Sequence, residues 1–237
     1  MFKGRFDLKN RPSRGFTLIE VLVALTIMAV MAMLTWRGID GMVRAQDSTR
    51  RYTDDVLALQ AGLAQWRADL DAMMVWPLAE GSAPYQTGGG QRSMSWDGRV
   101  LRITRMSAGE PSAGLRVVAW TRRADGQWLR WQSPPVMSQN AWRTAWENAG
   151  IWSQAANEDR GVAGGPQAVR VANATEWQLH YFRQNAWTNP LSSGAQGATA
   201  TDTLPDGIRL MVTLAPGQAI NGPMVIDWVR PNFGASQ

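Results

Sequence analysis

Few side chains in this sequence of 237 residues have the types and spacing that catalysis or metal binding requires. Cysteine is absent and the single histidine, His180, lies in a strand-like run without a second soft ligand for zinc, so we expect it to be structural or exposed. The glycine run 88–90 is not followed by Lys-Ser or Lys-Thr, which a phosphate-binding loop needs. Two loop carboxylates, Asp202 and Asp206, are too few to define a calcium site. The sequence therefore predicts no enzyme, no cofactor and no metal.

One acidic side chain lies in an apolar segment, where a charge costs free energy. Glu20 lies in the apolar segment 16–36, which as a helix would be about 31 Å long at roughly 1.5 Å per residue. That length matches a hydrocarbon core of about 30 Å, so the segment can span a membrane once. A charge at the middle of a spanning helix costs on the order of 3 kcal/mol, though less near its end. We therefore expect the carboxylate of Glu20 to have a specific partner.

The charges on either side of this segment predict its orientation. The preceding leader is basic, with Lys3, Arg5, Lys9, Arg11 and Arg14 against Asp7. In residues 37–55 the arginines are balanced by aspartates, so the positive-inside rule predicts a cytoplasmic N-terminus and export of everything after Trp36. A secretory signal peptide is the alternative, but the segment is long for one and no A-x-A cleavage site follows it.

The same distribution of charge argues against nucleic acid as a partner. The net charge of the chain is +5, and most of it lies in the leader. The rest of the sequence is nearly neutral, so it offers little support for a polybasic surface.

The basic leader ending in Gly15, followed by "FTLIE" and the apolar run, resembles the type IV prepilin family. The resemblance implies that a prepilin peptidase cleaves between Gly15 and Phe16 and methylates the new amino terminus of Phe16. It also implies that Glu20, the fifth residue of the mature chain, makes a contact in subunit assembly. A new α-amino cation in an apolar filament core would be costly alone, and the carboxylate of a neighbouring subunit offers it a charge-assisted partner.

Beyond the apolar segment, the periodicity predicts a second half of the same helix. Apolar residues of the segment 37–76 recur every three or four residues, and Pro77 disfavours helix at the residue before it, so we expect the helix to end near residue 75. This amphipathic stripe consists of Val56, Leu59, Leu63, Trp66, Leu70 and Met73. Gly38 and Gly41 either make the helix flexible where it leaves the bilayer or allow close packing with a neighbour.

From residue 93 onward the pattern changes to short β runs separated by turns. The Asp-Gly pairs 97–98 and 125–126 each lie between two strand-like segments and predict two hairpins. The runs 175–183, 206–214 and 224–229 add three strands, and consecutive hairpins favour antiparallel pairing. The polar, glycine-rich stretches 85–91 and 189–207 are predicted to be surface loops.

The sequence thus predicts an α+β fold, and the prepilin resemblance implies the pilin-like form of it, with a long N-terminal helix packed on an antiparallel β-sheet. We expect the amphipathic stripe to cover that sheet, because a sheet without a covering helix would leave a large apolar face in water.

Contacts with partner subunits are then expected on the membrane-proximal half of the helix, around Ile39, Met42 and Val43. Tryptophans in the strand-like runs are expected to fill the core rather than to stack on carbohydrate or single-stranded DNA; they include Trp120, Trp128 and Trp131.

The predicted organisation has four parts. A leader, residues 1–15, is removed by cleavage; residues 16–36 form the transmembrane helix; residues 37–76 form the amphipathic helix; and residues 77–237 form a β-rich periplasmic head.

Beyond the leader, the stretches "LRITR", "LRVVAWTRR" followed by "GQWLRW", and "LPDGIRLMV" resemble the J-type minor pseudopilin of type II secretion. The resemblance implies a single-pass protein of the bacterial inner membrane, in a tip complex with the I- and K-type subunits on a pseudopilus of major pseudopilin. That pseudopilus helps to export folded proteins across the outer membrane.

Two alternatives to secretion stay open at this point. A minor pilin of a type IV pilus, acting in assembly, adhesion or DNA uptake, fits less well, because the mature chain is nearly neutral and lacks a C-terminal cysteine pair. A membrane-anchored periplasmic enzyme or receptor would not need Gly15 or Glu20.

Overall fold

The computed structural model describes residues 15–74, 92–107, 114–154, 168–183, 185–191 and 204–231. The chain divides into two compact units, residues 1–50 and 51–237. The first helix, α1 (Leu18–Asp71), begins in the first unit and ends in the second. Most of the leader, Pro77 and the glycine run 88–90 lie outside the described residues.

In the first unit, α1 presents apolar side chains on all sides, and they are exposed. Among the described residues, α1 is the one helix long and apolar enough to cross a membrane. The polar side chains of this part are satisfied within the helix: the hydroxyl of Thr26 donates to the carbonyl of Leu22 (2.9 Å) and that of Thr35 to the carbonyl of Met31 (2.9 Å). Internal pairing of this kind is what a hydrocarbon environment requires.

The second unit is built on one antiparallel sheet, as predicted. Its strands are β1 (Met94–Trp96), β2 (Val100–Met106), β3 (Leu115–Arg122), β4 (Gln127–Gln132), β5 (Val169–Arg183), β6 (Ala186–Thr188), β7 (Gly207–Leu214) and β8 (Gly222–Val229). The order across the sheet is β1-β2-β3-β4-β5-β7-β8, and β6 pairs with β5. Sequence analysis did not assign the short strand β6.

Both predicted Asp-Gly hairpins are confirmed. Asp97 turns the chain between β1 and β2, where its Oδ1 accepts hydrogen bonds from the backbone N–H groups of Arg99 (2.9 Å) and Val100 (2.8 Å). Gly126, between β3 and β4, has a φ of 88°, in the left-handed region that glycine enters without strain. An aspartate side chain that accepts backbone hydrogen bonds and a glycine that enters the left-handed region both favour a tight turn. The Asp-Gly pair therefore predicts a hairpin from the local sequence alone.

The C-terminal part of α1 packs on one face of the sheet, as the amphipathic stripe predicted. Trp66 and Leu70 are each 1% exposed, and Trp66 makes an edge-to-face contact with Trp120 of β3, with ring centroids 5.2 Å apart. The core that they join contains residues of β2, β3, β4, β5, β7 and β8, including the buried Trp128 and Trp228. Trp131 is also buried, on the opposite face, so the predicted core role of the strand tryptophans is confirmed.

The helix ends earlier than the predicted residue 75. It stops at Asp71, after which the backbone pairs with β2: the N–H of Met74 donates to the carbonyl of Thr104 (2.8 Å), and the N–H of Met106 donates to the carbonyl of Ala72 (3.0 Å). The backbone after Asp71 thus pairs with β2, about 30 residues later in the sequence, instead of continuing the helix. This pairing ends the helix before Pro77.

A second helix, α2 (Gln139–Gln154), was not predicted. It packs on the other face of the sheet and buries an apolar face on β2, β3 and β4. That face consists of Trp142, Ala145, Trp146 and Ala149. The available signal was the three- and four-residue spacing of these residues after Ser138, whose Oγ caps the helix by accepting from the N–H of Ala141 (3.2 Å). The tryptophans, asparagines and serines of this segment have modest helix propensity, so the helix was not recognised from the sequence.

Close approach between α1 and β5 depends on Gly62. A Cβ atom at this position would lie 2.3 Å from Cγ1 of Val171 and 2.9 Å from its Cγ2. Val171 is a β-branched side chain in a strand, so it has little freedom to move away. The glycine thus lets the helix backbone rest directly on the strand.

We predict that Gly62→Ala destabilises the second unit by about 1–3 kcal/mol through overpacking. The measurement is the melting temperature of a soluble fragment starting at Arg37. Gly41→Ala is the matched control, because no atom lies within 4 Å of a Cβ there and alanine raises helix propensity. Adding Val171→Ala to Gly62→Ala should restore part of the loss; a melting temperature unchanged by Gly62→Ala would contradict this account of the contact.

Candidate processing and assembly site

The Gly15–Phe16 bond, the predicted cleavage point, lies just before α1. Gly15, Phe16 and Thr17 have no regular secondary structure, and the helix begins at Leu18. Phe16 is 88% exposed, and no atom lies within 4 Å of a Cβ placed on Gly15. None of the described residues covers this bond, and it lies outside the helix.

Glu20 lies in the first turn of α1 and pairs with Thr17. Its Oε2 accepts hydrogen bonds from the backbone N–H of Thr17 (3.0 Å) and from the Thr17 hydroxyl (2.9 Å). The Thr17 Oγ1 in turn accepts from the backbone N–H of Glu20 (3.4 Å). This reciprocal arrangement is a capping box, which satisfies two of the N–H groups that a helix start leaves unpaired. A carboxylate at the helix N-terminus is also favoured by the helix dipole.

The capping box gives Glu20 a partner within its own chain before any cleavage takes place. Cleavage after Gly15 would leave the backbone N–H and the hydroxyl of Thr17 in place, because the new amino group forms on Phe16. The carboxylate would therefore keep its hydrogen bonds to Thr17, the residue after Phe16. Sequence analysis missed the part played by Thr17, although the Thr-x-x-Glu spacing of a capping box was readable.

A second acid, Asp69, has a very different environment, deep in the second unit. It is fully buried in the last turns of α1 and accepts hydrogen bonds from three strands. Arg130 of β4 donates through Nε to Oδ2 (2.7 Å) and through a terminal guanidinium nitrogen to Oδ1 (2.9 Å). The indole N–H of Trp120 in β3 donates to Oδ2 (2.9 Å), and Arg105 of β2 donates to Oδ1. Gln65 adds a donor from one turn earlier in the helix (2.9 Å).

This Asp69 network holds two cations and one anion away from water. The side chains of Arg105 and Arg130 are 8% and 10% exposed, and that of Asp69 is 0% exposed. Arg130 also donates to Oε1 of Gln132 (2.7 Å), and Arg105 to the carbonyl of Met106 (3.1 Å). Burial of charge is tolerable only with this degree of pairing. The network is therefore structural: it ties α1 to three strands of the sheet.

Sequence analysis did not identify Asp69. The residue follows Trp66 by three positions and precedes Leu70, so it lies on the buried stripe of α1. An acid on an apolar helix face was the available signal. Its partners could not be read from the sequence, because they lie 36, 51 and 61 residues away.

The other titratable residues considered for chemistry lie apart from one another where the structure describes them. His180 is half-buried in β5, and its Nδ1 has no hydrogen-bond partner; the described residues contain no group of three His, Cys, Asp or Glu that could hold a metal. Asp206 pairs with Arg230, and Asp202 lies outside the described residues. On the outer face of β7 and β8, two hydrogen bonds from Arg209 lower the pKa of Asp227.

Arginines also fill the space between α2 and the sheet. The guanidinium of Arg102 lies 5.2 Å from the ring centroid of Trp146, and that of Arg123 lies 5.2 Å from that of Trp152. Burial lowers the pKa of Arg102, although the carboxylate of Asp97 acts in the opposite direction. These cation–π contacts let charged side chains pack against aromatic surface beneath a helix.

We predict that Asp69→Asn destabilises the second unit by about 3–5 kcal/mol, because it leaves two buried guanidinium groups without their anion. Chemical denaturation of the fragment starting at Arg37 measures this loss. Asp54→Asn, an exposed aspartate on the same helix, is the control and should change the free energy of unfolding little. Equal effects of the two substitutions would show that the buried network contributes nothing beyond helix propensity.

Comparison with known proteins adds two findings. Residues 10–36 match the family described as the prokaryotic N-terminal methylation motif. A solved structure, the GspK-GspI-GspJ complex from the enterotoxigenic Escherichia coli type 2 secretion system, contains a similar chain with a TM-score of 0.46 and 13% sequence identity. The similarity covers 74% of this chain and 96% of that one. No curated protein matches the sequence.

Proposed function

We propose that this chain is a minor pseudopilin of the type II protein secretion system, a structural subunit of the pseudopilus tip complex. The observation that carries the proposal is the N-terminal methylation motif of residues 10–36 together with the fold that follows it. The helix that begins within this motif packs its C-terminal part on an antiparallel β-sheet. In this proposal the apolar part of α1 anchors the chain in the inner membrane, and the second unit is the periplasmic head.

The first step is processing by a prepilin peptidase at the cytoplasmic side of the membrane. The peptidase cleaves between Gly15 and Phe16 and methylates the new amino group of Phe16. The exposed, non-helical position of this bond supports access by the peptidase. The peptidase is thus the catalyst and this chain is its substrate. The chain provides the Gly15–Phe16 bond that is cleaved and the Phe16 amino group that is methylated.

The second step is assembly, in which Glu20 serves as a contact. Thr17 holds the Glu20 carboxylate at the start of the helix. There the carboxylate would accept a hydrogen bond from the N-methylated ammonium group of a neighbouring subunit. In an apolar filament core each of these charges alone would be costly, and together they form a hydrogen-bonded ion pair. The capping box supports this role, because it fixes the carboxylate at the helix end before the partner arrives.

The J-type assignment rests on the stretches "LRITR", "LRVVAWTRR", "GQWLRW" and "LPDGIRLMV", and the first three contain residues that contact α1. "LRITR" contains Arg105, "LRVVAWTRR" contains Trp120 and "GQWLRW" contains Arg130. These are the three donors that reach Asp69 from the sheet. The stretches therefore describe how the helix is held on the sheet.

Partner contacts are proposed for the exposed, membrane-proximal part of α1. The apolar side chains of Ile39, Met42 and Val43 are 56%, 76% and 50% exposed. Apolar side chains exposed next to one another on a helix favour packing against another helix. The I- and K-type subunits are the proposed occupants of this surface, and major pseudopilin forms the filament below them.

We predict that Gly15→Leu blocks processing and leaves a full-length, membrane-inserted precursor in cells that have a prepilin peptidase. Intact-mass measurement of the purified protein distinguishes the two forms, and the wild type should begin at a methylated Phe16. Gly38→Leu changes a second exposed glycine, outside the cleavage point, and should be processed normally. A wild-type chain with its leader intact would refute the processing step.

We predict that the soluble fragment starting at Arg37 forms a complex with I- and K-type heads, which light scattering detects as an increase in mass. Met42→Asp should weaken this complex without lowering the melting temperature, because Met42 is exposed. Val225→Asp, at an exposed position on β8, is the control. A fragment that stays monomeric with both heads at tens of micromolar would count against the tip-complex assignment.

A further inference from the structure

The strand β8 (Gly222–Val229) forms one edge of the sheet. It is the last strand of the order, and no strand among the described residues pairs with its outer side. The strand at the other end of the order, β1, has three residues, whereas β8 has eight. An edge strand leaves a row of backbone N–H and C=O groups unpaired, and these groups can bond to a further strand. Of the two end strands, β8 therefore offers the longer row.

The backbone groups of β8 that point away from β7 follow from the strand pairing. The N–H of Arg230, directly after β8, donates to the carbonyl of Asp206 on the side of β7 (2.9 Å). These directions alternate along a strand, and the register between β7 and β8 is regular throughout. The N–H and C=O groups of Val225, Asp227 and Val229 therefore face outward.

β8 lacks the features that usually prevent an edge strand from pairing. It contains no lysine or arginine, and no bulge interrupts its pairing with β7. Its one proline, Pro223, is the second residue of the strand, so it removes an outward N–H group only near the start. Its one charge, Asp227, is neutralised by Arg209 of β7, which donates two hydrogen bonds to it (2.7 and 2.6 Å). Most of the edge is therefore open to a further strand.

The side chains of β8 would contact an added strand on both faces of the sheet. On the outer face, Val225 and Val229 are 56% and 58% exposed, and the side chain of Asp227 between them is 41% exposed. On the inner face, Met224 and Ile226 are half-buried against the core that contains α1. An added strand would thus meet apolar side chains on either side and one carboxylate near its middle.

The carboxylate of Asp227 determines which residue is favoured opposite it. Each of its oxygens accepts one hydrogen bond from Arg209 and keeps a lone pair for a further donor. Arg209 lies on β7, away from the edge, with its guanidinium 4.2 Å from the ring centroid of Trp187. A lysine or arginine directly opposite Asp227 is therefore attracted, and an acidic residue is repelled. Because β8 has no basic residue, the β8 of a second copy cannot supply this cation.

We propose that the outer edge of β8 binds an extended segment of another protein, which joins the sheet as an antiparallel strand. The segment carries lysine or arginine opposite Asp227 and apolar side chains opposite Val225 and Val229. Backbone hydrogen bonds supply the affinity, and the alternate side chains supply the specificity. This partner is distinct from the I- and K-type subunits, which the proposed function places on the membrane-proximal part of α1.

Binding of a short synthetic peptide to the full-length chain in detergent tests this proposal. The fluorescent peptide has lysine opposite Asp227, valine opposite Val225 and Val229, and threonine elsewhere, and fluorescence anisotropy measures its affinity. A methyl group on the backbone nitrogen of the lysine, which faces β8, should weaken binding about tenfold. A methyl group on the nitrogen of the next residue, which faces away, is the matched control and should have little effect.

An exchange of charges tests the role of Asp227. The double variant Arg209→Asp with Asp227→Arg keeps an ion pair between β7 and β8 but reverses the charge nearest to the edge. The wild type should bind the lysine peptide several-fold more tightly than a peptide with glutamate in its place. The double variant should show the opposite preference.

A proline at position 225 tests the backbone contact from the side of the protein. Val225→Pro removes one outward N–H group and no hydrogen bond to β7, so it should weaken peptide binding about tenfold. Val225→Thr keeps the N–H group and is the control. Melting temperatures show whether both variants fold; if Val225→Pro does not, the methylated peptides test the same hydrogen bonds on the wild-type chain.

Four outcomes would overturn the proposal. The lysine peptide could fail to bind, its binding could be insensitive to methylation of the lysine nitrogen, or the charge exchange could leave the preference for lysine unchanged. Self-association of the full-length chain that Val225→Pro abolishes would instead assign the edge to a second copy. None of these outcomes would refute the tip-complex assignment, which the mixing of separate heads tests by itself.

Discussion

The second unit depends on one ion-paired carboxylate. Asp69 enters the core on the buried side of a helix, and its charge is tolerable there because donors from β2, β3 and β4 converge on it. A shift of the helix by one residue would take the carboxylate away from all of them. Such a shift would also rotate Trp66 and Leu70 away from the sheet. The Asp69 network and the apolar packing therefore specify the same register, and the contact of Gly62 with Val171 sets how closely the helix approaches.

Parts of this architecture were predictable because their causes are local. The two Asp-Gly turns form through hydrogen bonds within a few residues, and the stripe containing Trp66 and Leu70 follows from helix periodicity alone. The end of α1 was predicted too late, because it is decided by pairing with β2, which no local signal reports. The second helix, α2, was missed because its capping and spacing signals compete with residues of modest helix propensity.

The two acids of α1 illustrate the same distinction at the level of function. Glu20 could be singled out from the sequence, since an acid in an apolar run near a glycine has few explanations, and its Thr17 partner is three residues away. Asp69 also lies on an apolar stripe, yet its role is defined by side chains from distant strands. Those distant donors lie in three of the stretches on which the proposed J-type assignment rests.

The distance along the chain between α1 and its last contacts has a consequence for biosynthesis. Trp228 of β8 donates to Asp71 (2.7 Å) across 157 residues, so the contact cannot form until β8 has been synthesised. Synthesis runs from the N-terminus, so Trp66 can pack on Trp120 of β3 before the hairpin of β7 and β8 has been made, whereas the Asp71–Trp228 contact forms only after it. Contacts of such long range slow folding and prolong the exposure of apolar surface.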